Sequence, residues 1–378
     1  MITRIKSDRI ILPSGVMSGY VYFQEDGITA VTAEKLLFDT EFDVGEDFVS
    51  PGFIDMHTHG GAGFDFIGSC DDIVKGCNFH LSHGTTSICP TISAAPFDVM
   101  KKAVGEIAKA MKSTELKANI IGAHLEGPYL SKAQCGAQST DFITPPQKDD
   151  YSLVVKEYPG VVARWSYAPE NDVDFEFTKF LKENSIVASA GHTNAEYEDV
   201  KGAMEEGMSL ITHLYSCTST ITRKNGFRHL GVIESVMLLD DLYAEIIADG
   251  RHLPPELIKL IVKVKGTDRI ALVTDSLHIA GTDVKHGFMV DTEFIIEDGV
   301  CKLMDRSAFA GSIATADVLV RTVMNEAGID ICDAVKMITK VPAEIMGLNK
   351  GILSEGKDAD IVVFDDDINI KMVFVNGK

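Results

Sequence analysis

The stretch PGFIDMHTHGG, residues 51–61, places Asp55, His57 and His59 at alternate positions of the chain. Side chains alternate between the two faces of a strand, so these three point to the same side. Two imidazoles and a carboxylate on one face suit a metal ion better than an apolar core. A His-x-His pair is a weak signal by itself, because most such pairs bind nothing, and a metal site requires further ligands elsewhere in the chain.

Further side chains of the ligand type follow the apolar runs of the chain. They are Glu126 in HLEGP, His192 in AGHT, His213 in THLYS, Asp249 and His252 in ADGRH, and Asp275 in VTDS. Each could be structural on its own, because a carboxylate can cap a helix and an imidazole can bond a carbonyl. Together they offer the nitrogen and oxygen ligands that Zn, Fe and similar divalent metals accept.

Short apolar runs alternate with amphipathic segments along most of the chain. The runs predict eight buried strands, at residues 53–59, 85–92, 119–128, 162–170, 186–193, 210–216, 243–250 and 269–277. Segments with helical periodicity lie between most of them, as at 97–112, 175–184 and 256–266. Buried strands that alternate with helices indicate a parallel sheet covered by helices. Eight such units predict an α/β fold, the (β/α)8 TIM-like barrel, whose catalytic groups stand at the carboxyl ends of the strands.

Both ends of the chain depart from this pattern. Residues 1–50 and 351–378 contain short β-like runs separated by turns. We expect them to form one small β-sandwich module beside a barrel at residues 51–350. The stretch MVDTEFIIEDGVCKLM, residues 289–304, predicts a hairpin inserted after the eighth strand, since EDG is turn chemistry.

Composition limits the possible partners. The formal net charge of the 378 residues is -21, and no dense Lys/Arg cluster is present, which argues against binding to nucleic acid or to an anionic membrane. Seven scattered cysteines without a Cys-x-x-Cys pair predict reduced thiols, and hence a cytoplasmic protein. No apolar run reaches the ~20 residues that span a bilayer.

Seven motifs, in their order along the chain, resemble those of the N-acetylglucosamine-6-phosphate deacetylase family of the amidohydrolase superfamily. They are PGFIDMHTHGG, GAHLEGPYL, AGHT, THLY, IADGRH, VTDS and FAGS. The resemblance extends over nearly the whole chain and includes the KDADIVVFD tail. It implies a hydrolase with the barrel and the two-ended β-sandwich described above, which works as a homodimer. The implied reaction is deacetylation of an amino-sugar phosphate, first of all N-acetylglucosamine 6-phosphate, to glucosamine 6-phosphate and acetate.

The resemblance also implies the metal ligands. Glu126, His192 and His213 match the ligands of the main metal, and His57 and His59 match a second position that some relatives have lost. The expected cofactor is therefore one or two divalent ions per chain, Zn or Fe, with Glu126 as the bridge if both positions are filled.

The remaining roles concern the substrate. Asp275 matches the catalytic acid/base, and His252 matches the group that polarises the substrate carbonyl. Where relatives commonly have His and Asn-Ala, this chain has Gln138 and the pair Ser216–Cys217. Gln138 is expected to bond a hydroxyl of the sugar, and the backbone amides of Ser216 and Cys217 are expected to bind the phosphate. The arginine that relatives extend to the phosphate of the neighbouring subunit falls in the stretch ITRKNGFRHLG, so three residues are candidates: Arg223, Lys224 and Arg228.

Three alternative functions compete with this deacetylation. The substrate could be another N-acyl sugar phosphate, such as N-acetylgalactosamine 6-phosphate. A dihydroorotase or dipeptidase of the same superfamily would usually bridge its metals with a carboxylated lysine, which has no counterpart at a predicted strand end. A non-catalytic metal-binding paralogue would lack the acid/base, whereas Asp275 is present.

Overall fold

The computed structural model describes residues 1–378. Eight parallel strands follow one another in space as they do in the chain, each paired with the next. They are Phe53–Thr58, Thr85–Ser93, Ala123–Glu126, Val162–Tyr167, Val187–Ala190, Leu210–Ile211, Tyr243–Ile246 and Ile270–Leu272, with the short strand Asn119–Ile120 before the third. The prediction of eight barrel strands is confirmed, and most strands end earlier than the apolar runs that predicted them.

The eighth strand meets the first through the residues that follow it. The Asp275 N–H donates to His57 O at 2.9 Å, and the Thr274 hydroxyl donates to Asp55 Oδ2 at 2.6 Å. The barrel is therefore nearly closed, and the contacts that close it lie beside the predicted metal ligands.

A helix follows each barrel strand. The eight helices are Cys70–Leu81, Phe97–Ala110, Lys148–Glu157, Glu176–Glu183, Tyr197–Glu206, Val232–Leu238, Pro255–Lys265 and Ala316–Asn325. Two more, Ile331–Ile338 and Lys340–Ile345, follow the last of them. Local chemistry marks their ends: Ser69 caps the first helix, and Asp72 bonds back to the Ser69 N–H. Four short 3-10 helices lie at Lys132–Gln134, Pro169–Asn171, Val173–Phe175 and Thr267–Arg269.

Both ends of the chain contribute to one seven-stranded sheet. Its strands are Thr3–Leu12, Gly15–Gln24, Gly27–Thr32, Thr40–Asp43, Phe48–Pro51, Ile361–Phe364 and Ile370–Phe374. The strand Ile361–Phe364 pairs antiparallel with Phe48–Pro51, which joins the two ends. A buried ion pair, Lys350 Nζ to Asp360 Oδ2 at 2.7 Å, lies where this sheet meets the amino ends of the barrel strands; Asp360 also accepts from Asn119 Nδ2 at 3.0 Å.

The insertion after the eighth strand is larger than the predicted hairpin. The turn at residues 297–299 joins Thr292–Glu297 to Val300–Leu303 as expected, but His286–Met289 and Phe309–Gly311 extend the pair to a four-stranded sheet. Two small hairpins complete the fold, Gly60–Gly61 with Phe64–Asp65 and Thr222–Lys224 with Phe227–His229. None of the helices is both long and apolar enough to cross a bilayer.

Candidate metal centre

Most of the predicted strand-end side chains meet in one cavity of about 300 Å³ at the carboxyl ends of the barrel strands, and Asp249 does not line it. Loops after several strands and the inserted sheet form its walls. The polar side chains that line it are His59, Glu126, Gln138, His192, His213, Tyr215, Ser216, Cys217, His252 and Asp275. His57 lies directly behind them and is fully buried. The cavity is of a size that takes a small ligand.

Glu126 is the centre of a first ligand group, which comprises Glu126, His192 and His213. Its Oε1 lies 3.2 Å from His192 Nε2 and 3.0 Å from His213 Nε2. All three side chains are buried. The fold therefore brings together three residues that come from the third, fifth and sixth strands.

His57, His59 and Asp275 form a second ligand group. The Nε2 atoms of His57 and His59 lie 3.4 and 3.1 Å from Asp275 Oδ1. The same two nitrogens lie 3.4 Å from Glu126 Oε1 and 3.3 Å from Glu126 Oε2. Glu126 thus stands between the two groups, as a bridging carboxylate would.

The imidazoles fit a cation better than they fit one another. His192 Nε2 and His213 Nε2 are 3.2 Å apart, and His57 Nε2 and His59 Nε2 are 3.3 Å apart. A neutral imidazole whose proton is on Nδ1 has a lone pair on Nε2, so each pair directs two acceptors at the same space. Nδ1 of His59 faces Ser93 Oγ at 3.0 Å. Nδ1 of His192 can donate to Gln134 O at 3.0 Å, which favours this tautomer.

Charge in the cavity is balanced by protons when no metal ion is bound. Burial disfavours charged imidazoles, but Glu126 and Asp275 outweigh it and raise the pKa of His57 to about 10 and that of His59 to about 9. Burial also opposes ionisation of Glu126, yet the neighbouring imidazoles hold the pKa of this carboxyl well below its usual range. A divalent cation can replace these protons, because metal ligands must be deprotonated.

Three of the strand-end residues adopt backbone angles that are rare outside glycine. His192, His213 and Asp275 have φ values of +47°, +26° and +48°. Positive φ costs roughly 1–3 kcal/mol per residue and persists where the surrounding structure enforces it. Each residue lies two or three positions after the end of a barrel strand. The turn at this position directs its side chain across the mouth of the barrel.

Asp55 and Gln138 hold other members of the site. Asp55 accepts hydrogen bonds from the Thr274 hydroxyl and from the His57 N–H, and burial raises its pKa to about 6. It belongs to neither ligand group. Gln138 donates from Nε2 to Glu126 Oε2 at 2.8 Å and accepts from the Ala94 N–H at 2.9 Å. The predicted substrate-binding residue Gln138 therefore lines the cavity and also orients its central carboxylate.

His252 is oriented by the loop that carries it. Its Nδ1 lies 2.8 Å from Asp249 Oδ2, and Asp249 Oδ1 accepts from the His252 N–H at 2.8 Å. Phe309 from the inserted sheet packs edge-on against the ring, with centroids 5.0 Å apart. These contacts leave Nε2 of His252 available to a bound ligand.

The predicted phosphate-binding groups do not all line the cavity. The Ser216 N–H donates to His213 O at 2.9 Å, so of the two amides considered from sequence only that of Cys217 is available. The basic candidates lie outside the cavity, in the exposed hairpin formed by Thr222–Lys224 and Phe227–His229. They are Arg223, Lys224 and Arg228. Lys224 Nζ pairs with Glu196 Oε1 at 2.5 Å, and no lysine or arginine of the chain lines its own cavity.

Sequence reasoning missed the charged pair beneath the ligands. Arg164 and Glu245 are both fully buried inside the barrel and bond each other directly. A signal was available, since each is a charged residue within an apolar run, VARWSYAPE or YAEIIADG. The participation of Asp275 in the second ligand group was also missed, because it depends on how the eighth strand meets the first.

Comparison with known proteins places this site in context. The model of the amidohydrolase family matches residues 48–378. The N-acetylglucosamine-6-phosphate deacetylase of Bacillus subtilis (strain 168) is 31% identical over 385 residues, which cover 99% of this chain and 96% of that protein. The N-acetylgalactosamine-6-phosphate deacetylase of Shewanella sp. (strain ANA-3) is also 31% identical, over 86% of this chain and 82% of its own.

The whole fold matches a solved structure as well. A point mutant of N-acetyl-D-glucosamine-6-phosphate deacetylase from Mycobacterium smegmatis, solved in complex with N-acetyl-D-glucosamine-6-phosphate, superposes with a TM-score of 0.92 at 26% identity. The superposition covers 100% of this chain and 98% of that one.

Metal binding should release protons. His57 and His59, with pKa values of about 10 and about 9, are protonated at pH 7 and must lose their protons to become ligands. Titration of metal-depleted protein with Zn²⁺ in weakly buffered solution should acidify the solution. The apparent affinity should rise with pH, by up to about tenfold per unit for each proton displaced.

A His59→Ala variant provides the control, since it lacks one of the protonated rings and should release about one proton fewer. Zn²⁺ binding that releases no protons and does not vary between pH 6 and pH 8 would contradict this account of the site.

Proposed function

The chain belongs to the amidohydrolase family, and we propose that it hydrolyses N-acetylglucosamine 6-phosphate to glucosamine 6-phosphate and acetate. The relatives named for this activity support the proposal, because the chain matches one of them over almost its full length. The observation in the structure that carries it is the Glu126 carboxylate between two histidine pairs, in a cavity open to a small ligand.

The proposed cofactor is a divalent metal, Zn or Fe, with one or two ions per chain. Glu126, His192 and His213 would hold the first, and His57 and His59 would hold the second together with Glu126. Nitrogen and oxygen donors in this proportion suit these metals. A divalent cation at these positions supplies a Lewis acid, which polarises a carbonyl and makes water more acidic.

Asp275 carries the proton in this reaction. Its carboxylate lies within the second ligand group and lines the cavity, so it can reach both an attacking water and the amide nitrogen of a substrate. It takes a proton from the water as the C–O bond forms and delivers it to the nitrogen as the C–N bond breaks. This transfer is necessary because an amine leaves readily only when it is protonated.

His252 stabilises the carbonyl oxygen. Because Nδ1 faces Asp249 at 2.8 Å, Nε2 is the nitrogen that meets the substrate. A hydrogen bond that the N–H at Nε2 donates to this oxygen becomes stronger as negative charge develops on the oxygen in the tetrahedral intermediate. Asp249 holds the ring in place through Nδ1 during this step.

The phosphate of the substrate requires cations that the cavity of a single chain lacks. A dianion would otherwise enter a protein with a net charge of -21. The hairpin at residues 222–229 projects three basic residues into solvent, together with Phe227, which is 75% exposed. We infer a homodimer in which this hairpin reaches the cavity of the partner. Gln138, Ser216 and Cys217 contact the sugar and phosphate from within the chain.

We also propose that the chain consists of two parts. Residues 51–350 form the catalytic hydrolase barrel, and residues 1–50 with 351–378 form a β-sandwich module. The seven-stranded sheet built from both ends supports this division. The proposal includes a cytoplasmic location, because scattered cysteines without a Cys-x-x-Cys pair predict reduced thiols.

Acetate release from a panel of sugars tests the substrate. N-acetylglucosamine 6-phosphate should give the highest kcat/KM, and unphosphorylated N-acetylglucosamine should be at least ~10-fold poorer, because it lacks charge-assisted contacts. N-acetylgalactosamine 6-phosphate is the second candidate, because an enzyme named for it is as similar in sequence. A preference for the unphosphorylated sugar would refute the phosphate assignment.

Replacing Asp275 tests the proton transfer. Asp275→Asn should keep the fold, because Asn has nearly the same shape and tolerates the φ of +48° at this position. Turnover should fall at least ~100-fold, the usual contribution of a positioned acid/base. Metal analysis should still find an ion in the first ligand group.

Asp65→Asn is the control, since Asp65 is a partly exposed carboxylate that does not line the cavity. It should turn over at close to the wild-type rate. Turnover of Asp275→Asn within a factor of a few of wild type would rule out the role of Asp275.

Subunit mixing tests whether the cavities are shared. The triple variant Arg223→Ala/Lys224→Ala/Arg228→Ala should lose about 10- to 150-fold in kcat/KM per phosphate contact removed. When it is mixed with Asp275→Asn and the subunits exchange, one site of each mixed dimer combines an intact hairpin with an intact acid/base. Equal mixing should restore about a quarter of wild-type activity. Exchange without recovery would show that the hairpin does not serve the partner.

A further inference from the structure

Beneath the second ligand group, the barrel contains a buried ion pair that the proposed reaction does not use. Glu245 comes from the seventh strand and Arg164 from the fourth, and both are fully buried. Arg164 bonds both oxygens of the carboxylate, through Nη1 to Oε1 and through Nη2 to Oε2 at 2.8 Å. The pair lies close to His57, whose Nδ1 is 3.6 Å from Glu245 Oε2.

Nδ1 of His57 lacks a hydrogen-bond acceptor, which Glu245 can provide. Nδ1 of this fully buried ring has no hydrogen-bond partner at the present separation, which is slightly longer than a hydrogen bond. If Nε2 binds a cation through its lone pair, the proton of the neutral ring must be on Nδ1. Glu245 is then the anionic acceptor nearest to that proton, and a small rotation of the ring closes the distance.

Arg164 fixes the carboxylate and the backbone around it. Besides the pair itself, Nη1 donates to Met56 O at 3.2 Å, beside His57 in the first strand, and Nη2 donates to Thr212 Oγ1 at 3.0 Å. Glu245 Oε2 also accepts from the His213 N–H at 3.4 Å. The carboxylate therefore cannot turn away from His57 without breaking several of these bonds.

We propose that Glu245, held by Arg164, is a positioning residue for His57. It accepts the Nδ1 proton and keeps Nε2 directed at Glu126 and Asp275. A carboxylate in this place makes the imidazole a stronger donor and fixes its tautomer. The pair thereby strengthens metal binding in the second ligand group and leaves the first nearly unaffected. This inference rests on the metal part of the proposed function and is independent of the substrate.

Counting Zn²⁺ without substrate tests it. Metal-depleted wild-type protein, titrated with Zn²⁺ in competition with a chromophoric chelator, should bind two equivalents per chain. Glu245→Gln keeps the shape but replaces the anion with a neutral amide, and should weaken the second equivalent about 10- to 100-fold. The first equivalent should stay close to its wild-type affinity.

A second variant distinguishes weaker metal binding from misfolding. Arg164→Met/Glu245→Leu removes both charges, and an apolar pair of similar volume is often tolerated in place of a buried ion pair. It should fold and lose affinity for the second equivalent as Glu245→Gln does. Because it also removes the acceptor of the His213 N–H, the affinity of the first equivalent is compared in Glu245→Gln alone. Asp360→Asn is the matched control: it breaks the other buried ion pair, with Lys350, at the amino ends of the strands. It should lower thermal stability and leave both Zn²⁺ affinities unchanged.

Three results would overturn the proposal. A wild-type chain that binds a single Zn²⁺ equivalent has no second position for Glu245 to support. Glu245→Gln with both affinities unchanged shows that the pair serves packing alone. Equal loss of both equivalents in folded Glu245→Gln shows a general effect on the site. Failure of the proposed function looks different: wild-type protein would bind no Zn²⁺ at all, or would bind it and release no acetate.

Discussion

The site depends on one constraint, the burial of the Glu126 carboxylate among four imidazoles. Its two oxygens lie within 3.4 Å of the Nε2 atoms of His57, His59, His192 and His213. A buried carboxylate is tolerated only with compensating positive charge or hydrogen bonds. Protons on the histidines or divalent cations can supply that charge, and Gln138 adds a hydrogen bond. The barrel can satisfy the constraint because strands 1, 3, 5 and 6 all end at the same face.

This arrangement requires local strain and buried polar groups. His192, His213 and Asp275 have positive φ values at the site, and the Lys350–Asp360 ion pair is buried near the opposite end of the barrel. Natural proteins commonly accept such local costs where function requires a fixed geometry. The buried pair of Arg164 and Glu245 belongs to the same pattern, since an apolar core would be the simpler way to fill a barrel.

The groups suited to catalysis and the basic groups suited to phosphate binding lie in different parts of the chain. The cavity collects imidazoles and carboxylates, which suit a metal and proton transfer, but none of its lining residues is a lysine or an arginine. Three basic side chains stand instead on the exposed hairpin at residues 222–229. A homodimer would bring the two kinds of group together and would shield the phosphate from the overall negative field.

Local patterns in the sequence were sufficient for the eight strands, for the helices predicted at 97–112, 175–184 and 256–266, and for the ligand residues apart from the place of Asp275 in the second group. Alternation and apolar runs depend on a few neighbouring residues, and a barrel sends every strand end to one face, so His57, Glu126 and His213 could be grouped without coordinates. Contacts between distant segments could not be obtained in this way. The bond from Gln138 to Glu126, the closure that brings Asp275 to His59, and the approach of Glu245 to His57 each depend on the angles at which loops and strands meet. Those angles are decided by packing of the whole barrel, which no short stretch of sequence contains.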